Sequence, residues 1–250
     1  AKGGWEHLKL PAIEERDKIY QFGRSLKKRK EGELLHPARE DESLIARAKR
    51  ELGSFVFAAQ YQQNPLPLEG GMLRREWMRR FRTKPMHFKR IVQSWDTAIK
   101  AGNQHDASVC MTFGETEEGC YVLDVQQLRL EYPELKRSIT QLAADWEPDT
   151  ILMEDKASGQ SLLQDLKRET NLPFIAIQPV YDKVTRFAAA SAMIEAGRVW
   201  FPQDASWLAA LEQELLSFPK APHDDQVDAL SQYLNWLRKK ASSQLQIRRI

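Results

Sequence analysis

The sequence predicts an α/β fold: a mixed sheet flanked by helices and preceded by a mainly helical connecting segment. Three observations lead there. Three extended apolar runs between Arg90 and Leu130 can form a meander, helices and strands alternate from Pro133 onward, and the run Pro65, Pro67, Gly70, Gly71 separates both from a charged N-terminal stretch. The resulting order, β-β-β-α-β-α-β-α, implies a sheet with helices packed on its faces.

Residues 1 to 70 are charged, helical in pattern and short of strands, with Asp41 to Tyr61 as a helix or helix pair, and residues 71 to 250 form the main domain. Within it, Arg90 to Trp95 is a short apolar strand that ends at Asp96, and Ala107 to Phe113 is a second strand. Cys120 to Leu130 is a third, joined to the second through the polar turn Glu115 to Gly119. Pro133 opens a helix at a position where proline is tolerated, with Leu135, Ile139, Leu142 and Trp146 on its inner face, and Pro148 stops it. Thr150 to Met153 is nearly all apolar, as expected of a buried parallel strand, and ends at Glu154. A helix over Gln160 to Glu169, a strand over Phe174 to Ile177, and a helix over Thr185 to Ala196 capped by Gly197 follow. Val199 to Phe201 is briefly extended, Trp207 to Leu216 is helical, and the last helix, Asp224 to Leu237, buries Val227, Leu230, Leu234 and Leu237.

Composition excludes several classes. With 250 residues, 42% apolar and 9% aromatic, the chain can bury a core, so wholesale disorder is ruled out. No run approaches the roughly 18 apolar residues of a membrane-spanning helix, and AKGGWEHLKL lacks the apolar centre of a secretory signal. Two cysteines make no disulfide framework, and no His/Cys set has zinc spacing, so a soluble, reducing, intracellular setting is the simplest reading. The formal charge is only +2, but it is segregated. Basic residues cluster at 27–30, at Arg74 and Arg75, at Arg79 to Lys84 and at Arg238 to Lys240, while Asp224, Asp225 and Asp228 form an acidic focus. Such segregation suits an enzyme that holds a polyanion and places metal ions at one point on it.

Three acidic positions lie at the edges of apolar elements: Asp96 after the first strand, Glu154 after TILM, and the acids that open the last helix. If the two strands are parallel neighbours, Asp96 and Glu154 emerge at one sheet end about 4.8 Å apart, and the helix delivers a third carboxylate. Acids so close repel one another, and a divalent cation removes the penalty. Asp224 takes the helix-capping role, leaving Asp225 for metal, with Asp228 one turn on as a further candidate.

The segments SWDTA (94–98) with DAS (106–108), ILMEDKASG (151–159), DKVTR (182–186) with EAGRVWFP (195–202), and FPKAPHDDQVDAL (218–230) together resemble the nuclease portion of the large terminase subunits of tailed bacteriophages and prophages. FAAQYQQNPLPLEGGML (57–73) resembles the stretch that joins packaging ATPase to nuclease in that family. The resemblance implies a ribonuclease H-like fold and an endonuclease that cuts concatemeric double-stranded viral DNA with two Mg²⁺ or Mn²⁺ ions, in the cytoplasm of the bacterial host. It puts the catalytic, metal-binding acids on Asp96, Glu154 and Asp225, with Asp224 and Asp228 as additional metal candidates. Lys156, Lys183 and Arg186 become DNA phosphate contacts, and Asp106 and His223 outer-shell groups. Residues 1 to 70 become the end of an ATPase domain and its linker. No G-x-x-x-x-G-K-S/T phosphate loop is present, so no ATPase activity is expected from this chain. The implied partners are DNA, the packaging ATPase, the small terminase subunit and the portal, with no membrane. The alternatives are a transposase or resolvase on the same scaffold and a non-catalytic docking module of the motor.

Overall fold

A computed structural model of the chain describes residues 8–64, 71–98, 107–155 and 157–247, and divides into two compact units, Ala1–Glu69 and Gly70–Ile250. In the first unit, β1 (Lys18–Phe22) and β2 (Ser25–Arg29) form an antiparallel hairpin, and α1 (Glu42–Gln60) follows. The hairpin is an addition to the helical segment expected. Its second strand, SLKKR, carries one large apolar residue, so no alternation announces it. A turn and a buried polar anchor hold it instead. Gly23 supplies the turn with a φ of 60°. Glu14 and Arg29, both almost wholly buried, pair at 3.1 Å, and the Tyr20 hydroxyl donates to the same carboxylate at 2.8 Å. Arg29 also donates to the carbonyls of Pro11 and Glu33, at 3.0 and 2.7 Å. Removing one member of such a pair strands the other in the interior, so Arg29→Met should destabilise this unit by about 3 kcal/mol. Amide exchange in the hairpin is the measurement, with exposed Lys28→Ala, expected within about 0.5 kcal/mol of wild type, as the control. α1 starts where the Asp41 carboxylate accepts from the Leu44 N–H, and it kinks at Gly53, whose φ of 73° and ψ of 162° are not helical. That single break accounts for the helix-pair pattern.

In the second unit, a 3-10 turn (Arg75–Trp77) leads into β3 (Arg79–Phe81), β4 (Arg90–Asp96), β5 (Ser108–Glu115) and β6 (Cys120–Leu128). Then come α2 (Tyr132–Trp146), β7 (Thr150–Glu154), α3 (Ala157–Glu169), β8 (Phe174–Ile177), α4 (Lys183–Glu195), β9 (Val199–Pro202), α5 (Leu208–Ser217) and α6 (Asp225–Ile247). The seven strands lie in the order β3-β9-β6-β5-β4-β7-β8. Only β5 runs against its neighbours, so β4-β5-β6 is the meander and the other pairings are parallel. This is a mixed sheet with helices on both faces. β3 was not anticipated: it is three residues long, too short to show a period, and it puts Arg79 and Arg80 on a sheet edge, where charge discourages pairing with other chains.

The period of two along β4 decides what faces what. Trp95 packs with Ile151, Met153, Leu135, Ile139 and Leu162 in the layer beneath α2 and α3, and Gln93 donates to the Leu142 carbonyl of α2 at 2.9 Å. Ser94 points the other way and donates to the Ala229 carbonyl of α6 at 2.8 Å. On that second face the rings of Phe113 and Tyr233 stack with centroids 3.8 Å apart. α4 and α5 pack against α6, which is buried all round from Gln226 to Leu234. The buried surface is therefore wider than the stripe expected, and Leu237 is only half-buried. Cys110 and Cys120 are buried free thiols within the sheet.

Candidate active site

β4 and β7 are parallel neighbours with Trp95 opposite Met153, so Asp96 and Glu154 end their strands at the same level. Trp95 and Met153 both turn toward α2 and α3. By alternation, the next residue on each strand turns to the opposite face. Both carboxylates therefore lie on the side of α4 and α6, with Glu154 only 7% exposed. α3 comes in close to this edge: a Cβ added at Gly159 would lie 2.7 Å from the Glu154 carbonyl oxygen and 3.0 Å from Thr97 Oγ1.

α6 brings the other acids. Asp225 is its first residue and Asp228, 5% exposed, lies one turn on. Asp228 accepts from Arg186 Nη2 at 2.7 Å through one oxygen and pairs with Lys183 Nζ at 2.8 Å through the other. Lys183 also donates to Asp224 at 2.7 Å, and Arg186 Nη1 lies 3.9 Å from Glu154 Oε2. Two cations one turn apart on α4 thus tie the end of β7 to the start of α6. α4 is fixed at its own start by Asp182, which accepts from the Thr185 N–H and hydroxyl at 2.9 and 2.8 Å. Lys183 and Arg186, expected as phosphate contacts, are directed here at the carboxylates.

The carboxylates sense one another. Burial, then the charges of Asp228, Glu154 and Asp225, push Asp96 up from 3.8 to about 8, against the pull of Lys183. Burial also raises Asp228, opposed by Lys183 and Arg186. Burial alone would lower Lys183, but its hydrogen bonds to Asp224 and Asp228 outweigh it and the net shift is upward. Among the described residues, no three His, Cys, Asp or Glu side chains form a ready-made metal cage. The donor set nonetheless suits a hard divalent ion: all its ligating atoms are carboxylate oxygens, and their mutual repulsion is what such an ion relieves.

The remaining expectations divide. His223 is exposed just ahead of α6. Asp106 and Lys156 lie outside the described residues. The capping role expected of Asp224 belongs to a different residue: Glu214 of α5 accepts from the backbone N–H groups of Gln226 and Val227, at 2.7 and 3.0 Å, while the Asp224 carboxylate is engaged by Lys183. Also unforeseen was Gln232, whose amide donates to Ser94 Oγ at 2.9 Å and to the Trp95 carbonyl at 3.2 Å, pinning α6 to the strand just before Asp96. A serine inside the apolar run RIVQSW was the available signal for that contact.

The family model for the terminase RNase H-like domain matches residues 93–237. A comparison with curated protein sequences returns no match. Among solved structures, the large terminase of the thermophilic bacteriophage D6E superposes with a TM-score of 0.60 at 12% identity, over 78% of this chain and 51% of that one. The large terminase nuclease of the thermophilic phage G20c with bound magnesium gives 0.52 at 13% identity, over 68% of this chain and 98% of that one. Its cobalt-bound form gives the same values. The likeness in structure is one of fold, and the chain spans about half the length of the D6E protein. Among the described residues, no helix is long and apolar enough to cross a membrane.

Proposed function

The chain belongs to the terminase RNase H-like domain family, and from that premise we propose that it is the metal-dependent endonuclease of a large terminase subunit, cutting concatemeric double-stranded DNA in the host cytoplasm as genomes are packaged. One observation carries the reading: acids from β4, β7 and α6, distant in sequence, converge on one face at the ends of β4 and β7, where burial and their mutual charges raise Asp96. Magnesium or manganese, bound as a pair by Asp96, Glu154 and Asp225, would supply an activated water and stabilise the leaving oxygen of the phosphodiester. Asp96, on which the charges of Glu154 and Asp225 both act, would be one of the carboxylates that hold the metal. Lys183 and Arg186 balance the charge of Asp224 and Asp228. Binding to DNA is dominated by phosphate contacts, so affinity falls steeply with salt. The rest of the packaging assembly in this proposal consists of an ATPase domain, a small terminase subunit and a portal.

The test is nicking of supercoiled plasmid by this chain in Mn²⁺ or Mg²⁺, with EDTA as the control. Cleavage of linear duplex in preference to branched DNA is expected, and a preference for branched DNA would point to a resolvase-type enzyme. Protein that is folded and yet cuts nothing in either ion would leave the docking-module reading standing. A second expectation concerns Gly159. Because a methyl there must displace the end of β7 or Thr97, Gly159→Ala should lower the cleavage rate about a hundred-fold, the usual consequence of a displacement near 1 Å at reacting groups. Single-turnover rates at saturating metal would measure it.

A further inference from the structure

The first backbone N–H groups of a helix have no partner within it and are normally capped by the residue just before it. Asp224 has the right chemistry and position, yet its carboxylate is held by Lys183 at 2.7 Å. The donors at the start of α6 turn instead to Glu214, in the last turn of the preceding helix. One of its oxygens accepts from the N–H groups of both Gln226 and Val227, at 2.7 and 3.0 Å, and the other accepts from the Gln226 side-chain amide at 2.7 Å. Glu214 is 8% exposed. A carboxylate so placed is costly to bury, and three donors on its two oxygens offset the cost. Its charge is close enough to Asp225 for the two to raise each other's cost. A neutral cap next to the helix would avoid that penalty but would not tie the first turn of α6 to α5.

We propose that Glu214 is a positioning residue for the acidic centre: by capping α6 from α5, it sets where Asp225 and Asp228 stand relative to Asp96 and leaves Asp224 to Lys183. The inference rests on the reading that these acids bind divalent metal. The two oxygens of Glu214 grip both backbone and side chain of the residue after Asp225, so rotation and axial shift of that first turn are fixed together.

Three variants and one control test it, through Mn²⁺ binding by titration calorimetry and amide exchange of the metal-free protein. Glu214→Ala should raise the Mn²⁺ dissociation constant at least about ten-fold, as loss of a group that orients ligands usually does. Exchange at Gln226 and Val227 should quicken ten-fold or more in the same variant, while Leu230 and Tyr233 stay protected. Glu214→Gln keeps an oxygen in place and should bind within about three-fold of wild type, whereas Glu214→Asp keeps the charge but loses reach and should bind more weakly than the glutamine variant. A purely electrostatic role would reverse that order and overturn the proposal, and this comparison holds even if the alanine variant does not fold. Glu212→Gln, on the same helix but paired with Arg75 and Arg80, should leave Mn²⁺ affinity unchanged. If Glu214→Ala lowers the melting temperature while Mn²⁺ affinity stays at the wild-type value, Glu214 is only a structural cap and the proposal fails. If wild-type protein binds no Mn²⁺, the reading of the site itself fails, a separate result from a wild type and Glu214→Ala that bind equally.

Discussion

Asp96→Asn is expected to slow metal-dependent cleavage about a thousand-fold and, in the same protein, to stabilise the metal-free fold by ~1–3 kcal/mol near pH 8. The two effects have one cause. Burial and the charges of Asp228, Glu154 and Asp225 hold the Asp96 carboxyl at about 8 in the folded chain, against 3.8 when it is exposed. Between those values the folded state binds more protons than the unfolded one, so the contribution of Asp96 to stability is fully present below pH 3.8 and lost as pH rises to about 8. Asparagine carries no charge and should flatten that part of the profile. It also removes a carboxylate proposed to hold the metal, which would account for the loss of rate. Urea unfolding at pH 5 and pH 8 in EDTA, beside plasmid cleavage in Mn²⁺, measures both. Cutting at the wild-type rate would remove Asp96 from the chemistry. Destabilisation by the substitution at pH 8 would remove the carboxylate repulsion. Adding Mg²⁺ should reverse the order of stability, because the ion stabilises only the chain that retains the acid.

The parts of this site visible in the sequence are those that a single element displays. Asp96 and Glu154 each close an apolar run, and RIVQSWD alternates well enough to place Trp95 and Asp96 on opposite faces once β4 is known to be central. TILME does not alternate, since both of its faces are covered, so the side taken by Glu154 came only from its pairing with β4. Contacts between elements were invisible for a similar reason. Glu212 and Glu214 sit two residues apart in one amphipathic helix, and nothing local says that one meets Arg75 and Arg80 while the other reaches the start of α6. Asp224 reads as a cap on local grounds, and Lys183, 41 positions away, takes its carboxylate. At Asp224, local propensity was overridden by a charged partner from another element. The β1–β2 hairpin escaped notice because its order comes from a buried ion pair rather than an apolar period.

Arg186→Met should destabilise the metal-free protein by about 4 kcal/mol, the usual cost of leaving a buried carboxylate without its partner. Arg186 is 9% exposed, donates to Asp228 at 2.7 Å and lies 3.9 Å from Glu154. Without it, Lys183 alone would face the acids from α4. The hydrogen bond from Asn235 to the Arg186 carbonyl belongs to the backbone and survives the substitution, so packing of α4 on α6 is not what is lost. A double-mutant cycle separates charge from shape. Asp228→Asn removes the stranded charge, and the Arg186→Met/Asp228→Asn double variant should be more stable than Arg186→Met alone; additive losses in the cycle would mean the pair is not coupled. Divalent ion offers a second check, because Mg²⁺ entering among the acids should restore part of the stability lost in Arg186→Met and none of that lost in Arg29→Met. The same variant distinguishes the two roles open to this side chain. A phosphate contact predicts weaker DNA binding with a salt slope reduced by about one. A charge tie between β7 and α6 predicts an unchanged slope and a fold that depends on metal, and the distances from Arg186 to both acids favour the tie in the metal-free state.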